Sequence, residues 1–200
     1  IVNSDGSIPE MCGNGLRCFV HYLLDLGESI EKTLSIETGA GVLHASVIDY
    51  ANNQLISSIS MGRPAYLEQL PSKDFAFDYA HSLTHAIDFG MGEFEFIPIS
   101  MGNPHAVFFV DNLHDINVHE LGPMIESHPY FPNRVNVEFV QVVSNQRFKF
   151  RVWERGAGET NACGTGACAS VVAGVLSKRS DGDVLVELLG GELRISFHLE

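Results

Sequence analysis

Apolar and polar positions along this chain change period several times, and each change marks an element. Leu16, Phe19, Val20, Leu23 and Leu24 recur at helical spacing as one buried face, with Gly27 where a left-handed residue closes a helix. Ahead of it, residues 1–3 read as a short strand running into the turn cluster Ser4-Asp5-Gly6-Ser7. Residues 33–38 and 42–48 alternate as strands about Gly39-Ala40-Gly41, a hairpin signal, and residues 55–61 alternate as a third strand. Met61-Gly62-Arg63-Pro64 breaks the pattern. Residues 66–89 interleave acidic and aromatic side chains with weak period, and read as a crossover between two lobes or as a surface loop.

Regular patterning then returns. Residues 94–100 and 106–110 read as strands flanking Met101-Gly102-Asn103-Pro104-His105, a helix is predicted over 118–126, and strands over 136–143 and 148–153. A glycine-rich loop, 155–162, leads into a helix over 164–178 and a closing hairpin, 184–188 and 192–197, turned by Gly190-Gly191. The order strand, loop, cysteine, helix, strand, strand therefore occurs twice. That order predicts a duplicated α+β lobe, with boundaries at 1–63 and 64–200 and a cysteine at the mouth of each lobe's helix.

Composition narrows the partners. Two hundred residues at 45% hydrophobic bury a core for one or two domains. A formal net charge of −13 with twelve Lys and Arg argues against nucleic acid, which needs a basic surface. No apolar run approaches the roughly 20 residues of a membrane span. Four cysteines do not make a disulfide-rich scaffold, and point to a reducing cytoplasm. The chain opens on Ile1-Val2-Asn3 and ends in an alternating stretch, so a piece of a longer protein is expected.

The cysteines carry the chemistry. Met11-Cys12-Gly13-Asn14-Gly15 and Ala162-Cys163-Gly164-Thr165-Gly166 are near-repeats, each placing a thiol before a Gly-x-Gly step into a helix. A thiol there meets unpaired N–H groups and the positive end of the helix dipole, which favour its thiolate. Glycine costs a helix interior roughly 1 kcal/mol against alanine, and its benefit is close approach of a ligand to bare backbone. The pair suggests two acid/base groups facing each other across a small anionic substrate. Cys18 and Cys168 read instead as small buried hydrophobes. The Cys-x5-Cys and Cys-x4-Cys spacings suit zinc poorly, and no metal is expected. Arg155, one of few cations, stands where a guanidinium can grip a carboxylate.

Asn3-x-Asp5-Gly6-Ser7 before Cys12-Gly13-Asn14-Gly15-x-Arg17-Cys18, then Met61-Gly62-x-Pro64, Gly102-Asn103-Pro104-His105 and Arg134-Val135-Asn136-Val137 follow in order. With Glu154-Arg155-Gly156-Ala157-Gly158-Glu159-Thr160-x-Ala162-Cys163-Gly164-Thr165-Gly166-Ala167-Cys168, this series resembles the diaminopimelate epimerases over nearly the whole chain. The family's opening Gly-Asn-Asp-Phe segment and its closing stretch have no counterpart here. An incomplete first lobe is therefore expected, and with it the question of whether this piece turns over alone.

The resemblance implies two pseudo-symmetric α+β lobes, each a mainly antiparallel sheet wrapped around a central helix, with the active site in the cleft between them. It implies an isomerase that interconverts LL- and meso-diaminopimelate, for lysine and peptidoglycan-precursor synthesis, with neither pyridoxal phosphate nor any other cofactor. Cys12 and Cys163 take opposed roles as thiolate base and thiol acid, and His105 and Glu154 set their protonation. Gly13, Asn14, Gly164 and Thr165 present helix N-termini to the substrate carboxylate. Asn3, Asn103, Asn136, Glu154 and Arg155 fall among the substrate contacts. A cytoplasmic homodimer and closure of the lobes on substrate are also implied. Three rivals remain: a proline or hydroxyproline racemase, which usually has Cys-Gly-His where Asn14 stands; a thiol–disulfide domain; and a non-catalytic binding module.

Overall fold

The computed structural model describes residues 6, 12–28, 33–39, 41–52, 54–78, 81–88 and 92–199. The strand predicted at 1–3, and Asn3 with it, lies outside these. The chain divides into two compact units, Ile1–Arg63 and Pro64–Glu200.

The first unit holds helix α1 (Gly13–Asp25) and strands β1 (Thr33–Thr38), β2 (Gly41–Ala51) and β3 (Gln54–Ile59), paired antiparallel in the order β1-β2-β3. Gly27 has φ +79°, and the N–H groups of Gly27 and Glu28 donate to the carbonyls of Leu24 and Leu23 at 2.9 and 3.1 Å, a Schellman closure. The buried stripe of α1 is narrower than its apolar pattern. It centres on Gly13, Leu16 and Val20, whereas Phe19 is 45% exposed. At 100° per residue Phe19 lies about 60° round from Leu16, on the side away from Gly13 and Val20. Gly13 is buried for a packing reason, since a Cβ there would lie 3.1 Å from Met61 Cε.

The second unit is built on β4 (His85–Asp88), β5 (Glu93–Ser100), β6 (Pro104–Phe109), β7 (Asn136–Ser144), β8 (Arg147–Glu154), β9 (Gly158–Glu159), β10 (Asp183–Leu188) and β11 (Gly191–Ser196). Their order is β11-β10-β8-β7-β6-β5-β4, with β9 paired to β8. The β6/β7 and β8/β10 pairs are parallel and the rest antiparallel. Helices α2 (Val118–Glu126) and α3 (Gly164–Leu176) complete it.

Both faces of this sheet are covered, which is why its central strands read as nearly unbroken apolar runs. On one face lies α3, buried from Thr165 through Gly174. It is rich in Gly and Ala because the sheet comes close: a Cβ on Gly166 would stand 2.8 Å from Glu138 Oε1, and one on Gly174 2.8 Å from Phe148 Cζ. The other face packs Ala106, Phe108, Val137 and Phe139 against Val118, Leu121 and Ile125 of α2. The helix predicted over 164–178 stops at Leu176, because Lys178 turns left-handed (φ +59°) and Arg179 N–H donates to Gly174 O at 2.7 Å.

The described residues within 66–89, namely 66–78 and 81–88, are neither a bare connection nor a surface loop. Leu70 and Phe75 are buried in the core, Phe77 packs edge-on to Phe75 and Phe96, and Ala76 N–H donates to Tyr130 O at 2.8 Å. The segment also ends in β4, which the sequence pattern missed. Likewise the glycine-rich loop at 155–162 is a tight reversal, with Glu154 registered on Gly158 and Trp153 on Glu159. Among the described residues no helix is long and apolar enough to cross a membrane.

Candidate active site

Each of the two repeated cysteines is the N-cap of its helix. Cys12 has φ −141° and ψ 100°, and its sulfur accepts the N–H of Gly15 at 3.3 Å. Cys163 has φ −126° and ψ 111°, and its sulfur accepts the N–H of Gly166 at 3.4 Å. Sulfur here takes the place of the oxygen of a Ser or Asp cap. The first intrahelical bonds run from Leu16 to Cys12 O and from Ala167 to Cys163 O, both at 3.0 Å. In α3 this leaves the N–H groups of Gly164 and Thr165, ahead of the one held by sulfur, for a ligand at the helix mouth.

The thiols differ in setting. Cys12 is half-buried, whereas Cys163 is only 5% exposed. Burial pushes the Cys163 thiol well up, and the carboxylates of Glu154 and Glu138 push the same way. The Thr165 hydroxyl and the Gly166 N–H oppose them. Cys163 is thereby held as a thiol, against the thiolate that its helix-mouth position alone would favour.

Around Cys163 the sequence motifs converge. Thr165 Oγ1 lies 3.4 Å from Cys163 Sγ, and Asn103 Nδ2 donates to that hydroxyl at 3.4 Å. His105 is fully buried, with Nε2 3.0 Å from Asn103 Oδ1 and Nδ1 2.6 Å from Glu138 Oε1. His105 therefore reaches Cys163 through Asn103 and Thr165 rather than by a hydrogen bond of its own. Glu154, at the end of β8, accepts from the Thr160 hydroxyl.

Asn136 is 4% exposed and braces the site: its Nδ2 donates to Pro104 O at 2.9 Å and its Oδ1 accepts from Arg155 N at 3.0 Å. Arg155 also donates from Nη1 to Asn133 O at 3.4 Å. Asn14 follows Gly13 in the first turn of α1, in the other unit. Cys168 is buried as expected, its thiol pushed up to about 12 by that burial. Cys18 is not: it is exposed beside Arg17 and His21, because it lies round α1 from the Leu16–Val20 stripe.

Three residues that were not among the expected site residues hold this arrangement. Glu138 is wholly buried, and its side chain shares a face of β7 with Asn136, two positions back. A charged residue within Val135-Asn136-Val137-Glu138-Phe139-Val140 was the available signal. Thr160 holds Glu154. Glu126 accepts from Trp153 Nε1 at 2.7 Å and Gly156 N at 2.9 Å and pairs with Arg134 at 3.5 Å, so it clamps the reversal that carries Glu154 and Arg155. Among the described residues, no cluster of three or more His, Cys, Asp or Glu side chains is arranged to hold a metal.

These two units carry the fold of a class of amino-acid racemases and epimerases. Among solved structures the chain is similar to a hydroxyproline epimerase from Agrobacterium vitis (18% identical, TM-score 0.70), covering 98% of this chain and 61% of that one. A probable proline racemase from Agrobacterium radiobacter K84 is 16% identical with TM-score 0.69, covering 96% and 60%. At such identities the likeness shows the fold alone.

Sequence identifies the family. The diaminopimelate epimerase family model matches residues 1–67 and 97–200. The diaminopimelate epimerase of Pseudomonas syringae pv. syringae is 45% identical over 199 residues, covering 98% of this chain and 69% of that protein. That of Synechocystis sp. is 46% identical over 197 residues, again 98% and 69%. The chain belongs to the diaminopimelate epimerase family, and so to the isomerases that act on amino acids.

Proposed function

We propose that this chain interconverts LL- and meso-diaminopimelate by proton transfer between two thiols, Cys12 and Cys163, without pyridoxal phosphate. The observation that carries the reading is the shared N-cap geometry of the two cysteines, each sulfur accepting its own helix's third N–H. In the reaction one thiolate takes the α-hydrogen, so an S–H bond forms as C–H breaks. The electron pair left on the α-carbon spreads into the adjacent carboxylate. The other thiol then delivers its proton to the opposite face, and its S–H bond breaks as the new C–H forms. Each turnover exchanges the roles of the two sulfurs, and the reverse reaction starts from that exchanged state.

Without an electron sink from a cofactor, the growing carboxylate charge is the difficulty. The helix mouths at Gly13-Asn14 and Gly164-Thr165 supply N–H groups and dipole ends for it. Holding Cys163 protonated by burial and two carboxylates makes it the proton donor at rest for one direction, with Cys12 as the base. Glu154 and His105 tune this protonation. Asn3, Asn103, Asn136 and Arg155 read the distal ammonium and carboxylate, whose amide and guanidinium partners reject substrates lacking those groups. The same reading makes the protein a cytoplasmic homodimer whose partner is a small molecule.

The test is incubation of the reduced protein with LL-diaminopimelate, and in parallel with L-proline, in deuterium oxide. Loss of the α-proton signal and appearance of the meso isomer from the first substrate alone supports the reading. Exchange of proline instead sends the assignment to the racemases.

A further inference from the structure

We propose that Glu138 is a positioning residue for the Cys163 thiol, acting through a line of side chains, buried His105, half-buried Asn103 and buried Thr165, that ends on the sulfur. Counting protons along the line gives it a direction. Asn103 donates from Nδ2 to Thr165 Oγ1 at 3.4 Å, so the atom it turns toward His105 is its carbonyl oxygen. That oxygen is an acceptor only, and His105 Nε2, 3.0 Å away, must carry a hydrogen. At the other side of the ring, Nδ1 lies 2.6 Å from Glu138 Oε1. A bare ring nitrogen and a bare carboxylate cannot bond, so one further proton lies between them, whichever atom holds it.

Ring and carboxyl together therefore carry no net charge, which suits a pair with neither side chain exposed to solvent. Thr165, having accepted from Asn103, has its own hydroxyl hydrogen to give to Cys163 Sγ at 3.4 Å. From His105 Nε2 onward the donors thus point toward the sulfur, and the Gly166 N–H at 3.4 Å adds another. Bonds aligned in one direction polarise one another. These donors steady the thiolate form of Cys163, where burial and the facing carboxylates of Glu154 on β8 and Glu138 on β7 favour the thiol. The line keeps both protonation states within reach.

Glu138 is what makes the direction unique. In Glu138→Gln the neutral ring has one N–H to share between two amides, each of which can turn. In one arrangement Asn103 then takes the Thr165 hydroxyl hydrogen, and the sulfur loses it. What this does to turnover rests on the epimerase reading; the line itself does not.

The experiment follows iodoacetamide alkylation of Cys163 against pH, by peptide mass spectrometry, in the unsubstituted chain, Thr165→Val, Glu138→Gln and the double variant. Thr165→Val should raise the alkylation midpoint by about one pH unit in the unsubstituted chain, the worth of a hydrogen bond to a charged sulfur. In the Glu138→Gln background the rise should be less than half as large. Any change in the field at the sulfur that comes with loss of the Glu138 carboxyl acts on both members of that pair alike and cancels in the cycle. Equal rises in the two backgrounds overturn the proposal. Nitrogen-15 NMR of the His105 ring, which needs no substitution, gives an independent answer. A protonated Nε2 at pH 7 supports the line, and a bare Nε2 overturns it even if Glu138→Gln does not fold. Coupling without exchange of diaminopimelate supports the line and counts against the epimerase reading instead.

Discussion

Replacing Gly166 by alanine adds a methyl group where the site has no room for one. Helix propensity alone favours the change by about 1 kcal/mol. Against that, the new Cβ would stand 2.8 Å from Glu138 Oε1, 3.1 Å from Phe150 Cζ and 3.3 Å from Cys163 Sγ. Overpacking of a full core costs roughly 1–3 kcal/mol, so the net change is a loss of up to about 2 kcal/mol. Gly174 is the internal control. It lies on the same helix with the same propensity gain, and its added Cβ would meet Phe148 at 2.8 and 2.9 Å, about 16 Å along α3 from the thiol. Urea denaturation should therefore find the two variants similarly destabilised. Epimerase turnover should separate them: Gly166→Ala displaces the sulfur and the Glu138 carboxyl together, and a misplacement near 1 Å costs on the order of a hundredfold. Gly174→Ala should keep turnover within a few-fold. Equal turnover in the two variants would refute the claim that α3 is thinned at Gly166 to seat the thiol.

Other consequences are checked more simply. Glu126→Ala strips the acceptor from Trp153 Nε1 and Gly156 N, and should cost about 2–3 kcal/mol in urea denaturation; a loss under about 0.5 kcal/mol contradicts the clamp. Exposed Cys18 should be alkylated ahead of buried Cys163 and of buried Cys168, the latter pushed up to about 12, in the folded protein, as read by peptide mass spectrometry. Cys168 also predicts alkaline instability. An unfolded thiol ionises near roughly 8.5 whereas folded Cys168 keeps its proton to about 12, so between those values the unfolded state binds fewer protons. Stability then falls as pH rises, by about 1.4 kcal/mol per unit from this thiol, and Cys168→Ala should flatten the slope between about pH 9 and 11.

The helix mouths were legible because cysteine followed by Gly-x-Gly is a chemical signature, and both sulfurs do cap their helices. The strands were legible where alternation or an unbroken apolar run extended far enough. Residues 66–89 were not, because their contribution to the core comes from single insertions, Leu70 and Phe75, held by a long-range bond from Ala76 to Tyr130, which leave no period. α3 is buried all round, so its apolar pattern could not say which side met the sheet; only the glycines at 166 and 174 mark that contact. Glu138 escaped notice because a strand buried on both faces disguises a functional polar residue as one more core position. Exposed Phe19 and Cys18 show the opposite error, in which an apolar type at a plausible spacing was taken as buried.

The measurement that bears most directly on two-thiol transfer is the early fate of isotope in deuterium oxide. With separate bases, LL-diaminopimelate converted by the reduced protein should yield meso product carrying solvent deuterium at the inverted centre, while unconverted LL substrate stays protiated at low conversion. Cys12→Ser and Cys163→Ser should each abolish formation of that product. Deuterium entering the LL substrate as fast as the product, or inversion surviving the loss of either cysteine, would contradict the account.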